Sequence, residues 1–245
     1  MKSYLSLVPI SAKVRKRQNR MTILCVIISI FLVTAIFSVA DMMIRTQSDR
    51  MTGKNGSWHI ELDGISQETA LKIAERDDVV SIGAVTIFNP DGELPYRMDG
   101  KRVVLYGIDE SYLTMNSTGA AEGRFPQGMG EIMLSSNAAR VLQVAVGDTV
   151  TLRTPSGDWD FTVSGLGGVE ESYYSGQYSL MDAYLPRTAF AALMEQNNVH
   201  NLQTSYYVQF TSASKAAKAI PELTAQHNLP ENAVSENTGV MAIAG

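Results

Sequence analysis

The residue types that most often carry catalysis or bind metals are few and scattered in this 245-residue chain. Its three histidines are His59, His200 and His227, and none stands at the spacing of a metal-ligand pair. The phosphate-binding pattern G-x-x-x-x-G-K-[ST] and the nucleophile pattern G-x-S-x-G do not occur. The sequence therefore predicts no catalytic residue, no metal site and no cofactor.

Two further segments have compositions that suit binding. The glycine-rich run from Gly165 to Gly168 lacks the following helix that a phosphate cradle requires, so we interpret it as a β-loop. An acidic segment beginning at Glu170 contains Tyr173, Tyr174 and Tyr178. This segment is either an exposed loop without a role or a contact surface for a partner, since exposed tyrosines supply contact area at low entropic cost.

An uncharged apolar run occupies residues 21–40 and continues weakly to Ile44. About 20 apolar residues are enough to cross a membrane as a helix, so we predict a transmembrane helix over residues 21–44. A cleaved signal peptide with a cleavage site at Ser38-Val39-Ala40 is the alternative, but this run is longer than the apolar region of a signal peptide. We therefore interpret the segment as a retained anchor.

Charge predicts how the chain is oriented in the membrane. Residues 1–20 form a basic leader that holds six lysines and arginines and no acidic residue. Basic residues are retained on the cytoplasmic side, which places the N-terminus inside the cell and the main domain outside. The remaining residues have 14 basic and 25 acidic side chains, a net charge of −11. That balance argues against a nucleic-acid partner and against tight docking on anionic lipid.

The rest of the sequence predicts an α+β fold. A polar joint over residues 45–57 is followed by a strand at 58–62, a helix from Gln67 to Arg76 and a strand from Val79 to Phe88. A second β-α-β unit begins at Ser205. We predict that the two units are halves of one domain, formed by residues 58–115 and 204–240. A β-rich inserted subdomain over residues 116–203 would interrupt it, with a hairpin around residues 155–158.

One ordered set of residues between 122 and 152 is more specific than these patterns. The set consists of Gly123, Arg124, Pro126, Glu131, Ser135, Gly147 and Asp148. It resembles the signature G-R-x-P, E-I-x-L-S and L-x-x-x-x-G-D-x-V-x-L in the extracytoplasmic core of MacB/FtsX-like ABC transporter permeases. Physically, these are fold-making residues: Gly123 and Pro126 bend the chain, Ser135 or a neighbour caps a helix, and Gly147 suits a left-handed turn. One departure from the family pattern is the bulkier stretch Gln143-Val144-Ala145, where the family often has a glycine after the leucine.

The resemblance implies a membrane-bound permease subunit whose exterior domain couples ATP-driven motion to export or to other extracytoplasmic work. It implies that ATP is hydrolysed by a separate cytoplasmic ABC ATPase, and that the chain pairs with a second permease or with its own copy in the lipid membrane. Such permeases usually carry three further transmembrane helices, so we interpret the chain as an N-terminal portion of a longer one. The alternative is a single-pass membrane receptor or ligand-binding module without transport activity.

Overall fold

The structure, a computed structural model, describes residues 16–116, 119–167 and 180–242. The chain divides into two compact units, Met1–Arg50 and Met51–Gly245. Helix α1 (Lys16–Asn55) contains a segment, Arg20–Met43, that is long and apolar enough to cross a membrane. Its hydroxyl groups bond back to carbonyls one turn earlier, as Ser29 does to Cys25 and Thr34 to Ile30. This internal pairing satisfies polar side chains that lipid could not.

Helix α1 continues to Asn55 and therefore includes most of residues 45–57, the segment predicted to be a polar joint. Gly56 follows with a φ of +80°, a conformation that glycine adopts without strain. A side chain at Gly56 would lie 2.7 Å from the carbonyl oxygen of Met115. That same oxygen accepts hydrogen bonds from the backbone and the hydroxyl of Ser57, which fixes the start of the exterior domain.

The predicted β-α-β units are present and interlock. The first consists of β1 (Ile60–Asp63), α2 (Gln67–Ala74) and β2 (Val79–Phe88). The second consists of β10 (Thr204–Phe210), α6 (Ala213–His227) and β11 (Val234–Glu236). The strand order is β11-β1-β10-β2 with antiparallel neighbours, so each unit is split by a strand of the other. This confirms the predicted pairing of the two halves.

Both helices begin at serine caps and cover one face of this sheet. Ser66 accepts a hydrogen bond from the backbone of Thr69, and Ser212 accepts one from Lys215. The core that they enclose contains Ile60, Leu62, Ile73, Tyr206, Val208, Phe210, Ala216 and Leu223. His59 precedes β1 and is buried, and its Nδ1 accepts a hydrogen bond from the backbone of Phe210 at 3.1 Å. Burial lowers the pKa of His59, which favours the neutral form that this bond requires.

Between β2 and β10 the described part of the chain forms seven further strands and three helices. The strands are β3 (Arg97–Met98), β4 (Lys101–Ile108), β5 (Ala120–Gly123), β6 (Glu131–Leu134), β7 (Thr149–Thr154), β8 (Gly157–Gly167) and β9 (Leu180–Pro186). The helices of this segment that the structure describes are α3 (Glu110–Met115), α4 (Ser136–Leu142) and α5 (Arg187–Gln196). A short 3-10 turn (Glu231–Ala233) and helix α7 (Thr238–Met241) lie near the C-terminus.

Six of these strands form a sheet that closes into a circuit. They pair in the order β4-β3-β7-β8-β6-β9, and β9 returns to pair with β4 in parallel, while β2 joins the first sheet to β4. The closed circuit surrounds a core of fully buried residues: Leu105, Ile132, Leu134, Leu152, Phe161 and Val163. Closure leaves few unpaired edges for unwanted strand addition.

The segment between β2 and β10 differs from expectation in several places. The sequence does not predict strand β9 or helices α3 and α5. The segment therefore contains more helix than the predicted β-rich subdomain would have. Residues Gly165 to Gly167 belong to strand β8, so their interpretation as a loop is wrong. Strands β3 and β4 pair with strands of the inserted segment, and the boundaries at residues 116 and 203 stay a prediction.

Candidate functional site

The signature residues meet where β5, β6 and β8 pair. Arg124 donates hydrogen bonds from both terminal nitrogens to the Glu131 carboxylate, one of them at 2.9 Å. The same carboxylate accepts hydrogen bonds from the backbone of Gln127 at 2.8 Å and of Gly128 at 3.2 Å. Glu131 therefore closes the loop that contains Pro126 and joins β5 to β6. A bidentate pair that also binds backbone groups fixes geometry more strongly than a single surface ion pair.

The contact between Arg124 and Glu131 should make the stability of the protein depend on pH. The Arg124 guanidinium, with the backbone groups of Gln127 and Gly128, lowers the pKa of Glu131 to about 2. Its contribution is therefore complete above the unfolded value of about 4.3 and is lost as the pH falls towards 2. We expect Glu131→Gln to lose about 1 kcal/mol at pH 7, or about 3 °C in thermal melting.

That difference between wild type and Glu131→Gln should shrink when melting is repeated between pH 4 and pH 2.5, because protonation removes the same charge from the wild type. Glu122→Gln, which changes an exposed carboxylate on β5, is the control and should melt within about 1 °C of the wild type at pH 7. A difference that stays constant from pH 7 to pH 2.5 would contradict the assigned role of Glu131.

The glycines at this junction permit close approach of two backbones. Gly123 has a φ of +72°, and a Cβ there would lie 2.3 Å from the carbonyl oxygen of Ser164. A Cβ at Gly165 would lie 2.4 Å from the carbonyl oxygen of Arg124. The hydroxyl of Ser164 donates to the carbonyls of Arg124 and Ile132 at 3.3 Å. Gly165 thus allows the backbone that follows β5 to approach β8 closely, which is a known role of glycine within strands.

Helix α4 is capped at both ends by residues of the signature region. The Ser135 hydroxyl accepts a hydrogen bond from the backbone of Ala138 at 3.1 Å, and the Ser135 side chain is buried. At the other end Gln143 adopts the left-handed conformation, with a φ of +57° and a ψ of +42°. A left-handed position at the end of a helix favours glycine, which adopts such a conformation without a steric penalty.

Replacing Gln143 with glycine should therefore stabilise the protein. A residue with a side chain destabilises the protein by about 1–2 kcal/mol when it adopts the left-handed conformation. Glycine removes this strain, but part of the gain is lost because glycine has more conformational freedom in the unfolded chain. We expect Gln143→Gly to gain about 1 kcal/mol and to raise the melting temperature by about 3 °C. Gln196→Gly, at the right-handed end of α5, is the matched control and should lower it. A lower melting temperature for Gln143→Gly would refute the argument.

Gly147 and Asp148 form the turn that leads into β7. Gly147 has a φ of +97°, and its backbone donates to the carbonyl of Val163 at 2.8 Å. The Asp148 carboxylate accepts a hydrogen bond from the backbone of Ala145, also at 2.8 Å. These contacts hold the turn against β8. The contacts found for the signature residues are thus structural ones to the backbone of neighbouring loops, turns and strands. The described residues contain no cluster of three metal-ligating side chains.

A cleft of about 700 Å³ combines apolar and polar side chains, as ligand sites do. It lies between the ends of β2 and β10 on one side and α5 with its following loop on the other. Its apolar lining comes from Phe190, Met194, Val199 and Leu202. Its polar lining includes Thr86 and Thr204, whose hydroxyls are 2.7 Å apart.

An ion pair forms the charged end of this cleft. Arg187, the first residue of α5, lies 3.9 Å from the Asp109 carboxylate and 5.9 Å from the ring centre of Tyr206. Asp109 in turn accepts a hydrogen bond from the backbone of Ala84 at 3.0 Å. The sequence interpretation missed both charged residues. The only signal was a Pro186-Arg187 pair after an apolar segment, which is typical of a helix start.

The sheet face opposite α2 and α6 has an acidic and aromatic character. The Tyr207 hydroxyl donates to Glu61 at 2.8 Å, and the Tyr207 ring packs edge-on against Trp58 and Tyr112 at 4.9 and 5.0 Å. Burial raises the pKa of Tyr207 and also that of Glu61. Glu61 thus lies in a half-buried, hydrogen-bonded position on this face. Tyr173, Tyr174 and Tyr178, predicted as a contact surface, lie outside the described residues.

Comparisons with known proteins agree with the signature. A family model described as the MacB-like periplasmic core domain matches residues 21–226. The fold is similar to the periplasmic region of MacB from Actinobacillus actinomycetemcomitans, at 15% identity and a TM-score of 0.55, over 79% of this chain and 94% of that chain. It is also similar to the extracellular domain of the ABC-type transporter YknZ from Gram-positive bacteria (16% identity, TM-score 0.49, 70% and 88% covered). Curated proteins give no significant match.

The chain therefore belongs to the family with a MacB-like periplasmic core domain, because the family model covers most of its length. This confirms the family predicted from Gly123, Arg124 and the residues that follow them. The family is one of ABC transporter permeases, which are generally not enzymes and work with a cytoplasmic ATPase. The likeness to MacB shows the shared fold.

Proposed function

We propose that this chain is the permease subunit of an ABC-type transporter or mechanotransmission complex. Its exterior domain would couple ATP-driven motion of the membrane helix to export or to extracytoplasmic work. The observation that carries the proposal is that α1 is one continuous helix, from Lys16 through the membrane-length segment to Asn55. A continuous helix is a semi-rigid spacer, whereas a flexible linker would absorb the motion.

The proposal assigns partners by chemistry. ATP hydrolysis takes place in a separate cytoplasmic ABC ATPase, and a second permease or a second copy of this chain completes the pair. The apolar side chains of α1 are exposed, with Phe31, Ile36 and Phe37 each about two-thirds or more accessible, and we assign them to contact with lipid or with another membrane helix. Tyr173, Tyr174 and Tyr178 stay our prediction for a partner contact.

A second candidate function is a membrane-anchored receptor or ligand-binding module. The cleft beside Arg187 and Asp109 favours it, since its volume and mixed lining suit a small ligand. This alternative shares the membrane anchor and the exterior position but requires no ATPase. Whether the chain binds a nucleotide-binding partner therefore distinguishes the two functions.

The orientation on which both functions depend can be tested with single cysteines. Cys25 is the only cysteine of the chain, so Cys25→Ser provides a background free of thiols. In that background Lys218→Cys, on the exposed side of α6, should react with a membrane-impermeant maleimide in intact cells. Ser11→Cys in the basic leader should react only after the cells are opened. The reverse pattern would overturn the proposed topology and, with it, the proposed function.

A further inference from the structure

Three arginines stand in register on consecutive strands of the closed circuit. Arg102 on β4 lies opposite Arg97 on β3, and Arg97 lies opposite Arg153 on β7. Residues directly opposite on neighbouring strands project to the same face, and the strands are about 4.8 Å apart. The next pair in the ladder, Met98 and Leu152, is buried, so the arginines project from the outer face. We call Arg97, Arg102 and Arg153 the arginine row.

The fold gives only one of these arginines a structural role. Arg97 donates hydrogen bonds to the carbonyls of Gly92, Leu94 and Tyr96, which fixes the loop before β3. By contrast, the side chains of Arg102 and Arg153 are 44% and 76% exposed, and among the described residues each makes one ion contact, at 3.9 and 3.5 Å. Like charges directly opposite each other lower the stability of a sheet. Stability of the sheet therefore does not account for the row.

A cavity of about 540 Å³ adjoins the arginine row. Arg97 and Arg153 line it together with the half-buried side chains of Leu142 and Val144. An apolar recess beside exposed arginines has the composition typical of binding hot spots, where an apolar side chain is anchored and arginine pairs with carboxylates. The surface is thus suited to a protein segment that presents both groups.

The charges around the row indicate which kind of anion it accepts. Glu93 and Asp158 pair with the outer arginines, and Asp99 lies in the cavity lining. These carboxylates would repel a uniform polyanion such as polyphosphate or an anionic glycan, whereas a segment with spaced acidic residues can avoid them. Residues 21–245 have a net charge of −11, so the positive charge of the row differs in sign from that of most of the chain.

We infer that the arginine row is a docking surface for an acidic polypeptide segment of a partner protein, with an apolar side chain entering the adjoining cavity. This surface is separate from the Arg187 cleft and from the signature junction. Binding there needs neither ATP nor an ATPase, so its test is independent of the proposed function.

The test uses the full chain in lipid nanodiscs and a labelled peptide in which a central leucine is flanked on both sides by glutamates that alternate with serines. Arg102→Gln combined with Arg153→Gln should weaken binding about tenfold, since two charge-assisted contacts are lost. The matched double variant Arg140→Gln with Lys218→Gln removes two exposed positive charges elsewhere and should bind as the wild type does. Melting of the arginine double variant should not fall below that of the wild type, because like-charge repulsion is relieved.

The single variant Arg153→Gln keeps the test valid should the double variant fold poorly, because its side chain is the most exposed of the three. It should weaken binding about threefold. The proposal is overturned if both double variants bind the glutamate peptide equally, or if a peptide with glutamine in place of glutamate binds as tightly. Tighter binding of polyphosphate than of the glutamate peptide would also overturn it, in favour of a phosphate ligand.

Discussion

Replacing Ser48, Asp49 and Arg50 with glycine is expected to uncouple the exterior domain from the membrane helix while leaving both folded. These positions lie within α1, beyond the membrane-length segment and before the helix ends at Asn55. Each glycine weakens a helix by about 1 kcal/mol relative to alanine, so three in succession weaken it by about 3 kcal/mol. The variant with alanine at the same three positions keeps the helix and is the matched control.

Energy transfer between dyes on Ser11→Cys and Lys218→Cys reports the coupling, in a Cys25→Ser background and in a complex reconstituted with its ATPase. In the parent and in the alanine variant, addition of ATP should change the transfer efficiency. In the glycine variant most of that change should be lost, although thermal melting of the exterior domain stays within about 1 °C of the parent because its core is untouched. A full ATP-dependent change in the glycine variant would refute transmission through α1.

Replacing Gly165 with alanine is expected to give a large loss of stability at the signature junction. A Cβ at this position would lie 2.4 Å from the carbonyl oxygen of Arg124 and 3.1 Å from its backbone nitrogen. Both contacts are with backbone atoms, so the steric clash is relieved only if the backbone at Arg124, just after β5, moves. The Arg124–Glu131 contact would then shift as well. Overpacking of this kind costs about 3 kcal/mol, which corresponds to about 10 °C in melting temperature.

Gly130→Ala is the matched control for this prediction. Gly130 lies in the same signature region, but a Cβ there would meet no atom within 4 Å. Its replacement should change the stability by no more than about 0.5 kcal/mol. Equal melting temperatures for Gly165→Ala and Gly130→Ala would show that the two strands do not approach as closely as described.

Local sequence patterns predicted the parts of the fold that depend on neighbouring residues. The strand Val79–Phe88 begins and ends where expected, and the helix predicted from Gln67 has the serine cap that its sequence indicates. That helix ends at Ala74, two residues before the predicted end. The interlocked β-α-β units followed from two such patterns about a hundred residues apart. The family followed from the ordered signature rather than from any single motif.

Features that depend on distant pairing were beyond sequence interpretation. Asp109 and Arg187 meet only because β4 and β9 pair in parallel and place their following residues side by side. The arginine row likewise depends on the register of three strands. Gly165 and Gly167 would equally suit a loop, and it is the antiparallel pairing with β5 that explains their place in a strand. In each case the structure depends on a contact between residues that are far apart in the chain, which local sequence patterns do not reveal.

The central claim is that this chain works as a permease with an ABC ATPase, and crosslinking in intact membranes tests it most directly. The full chain should be crosslinked through its cytoplasmic leader, purified, and its partners identified by mass spectrometry. The proposed function predicts an ATPase that contains the G-x-x-x-x-G-K-[ST] pattern missing from this chain, captured by the wild type and lost when the leader lysines and arginines are replaced with glutamine. Capture of exterior proteins alone, with no nucleotide-binding partner, would contradict it and favour the receptor.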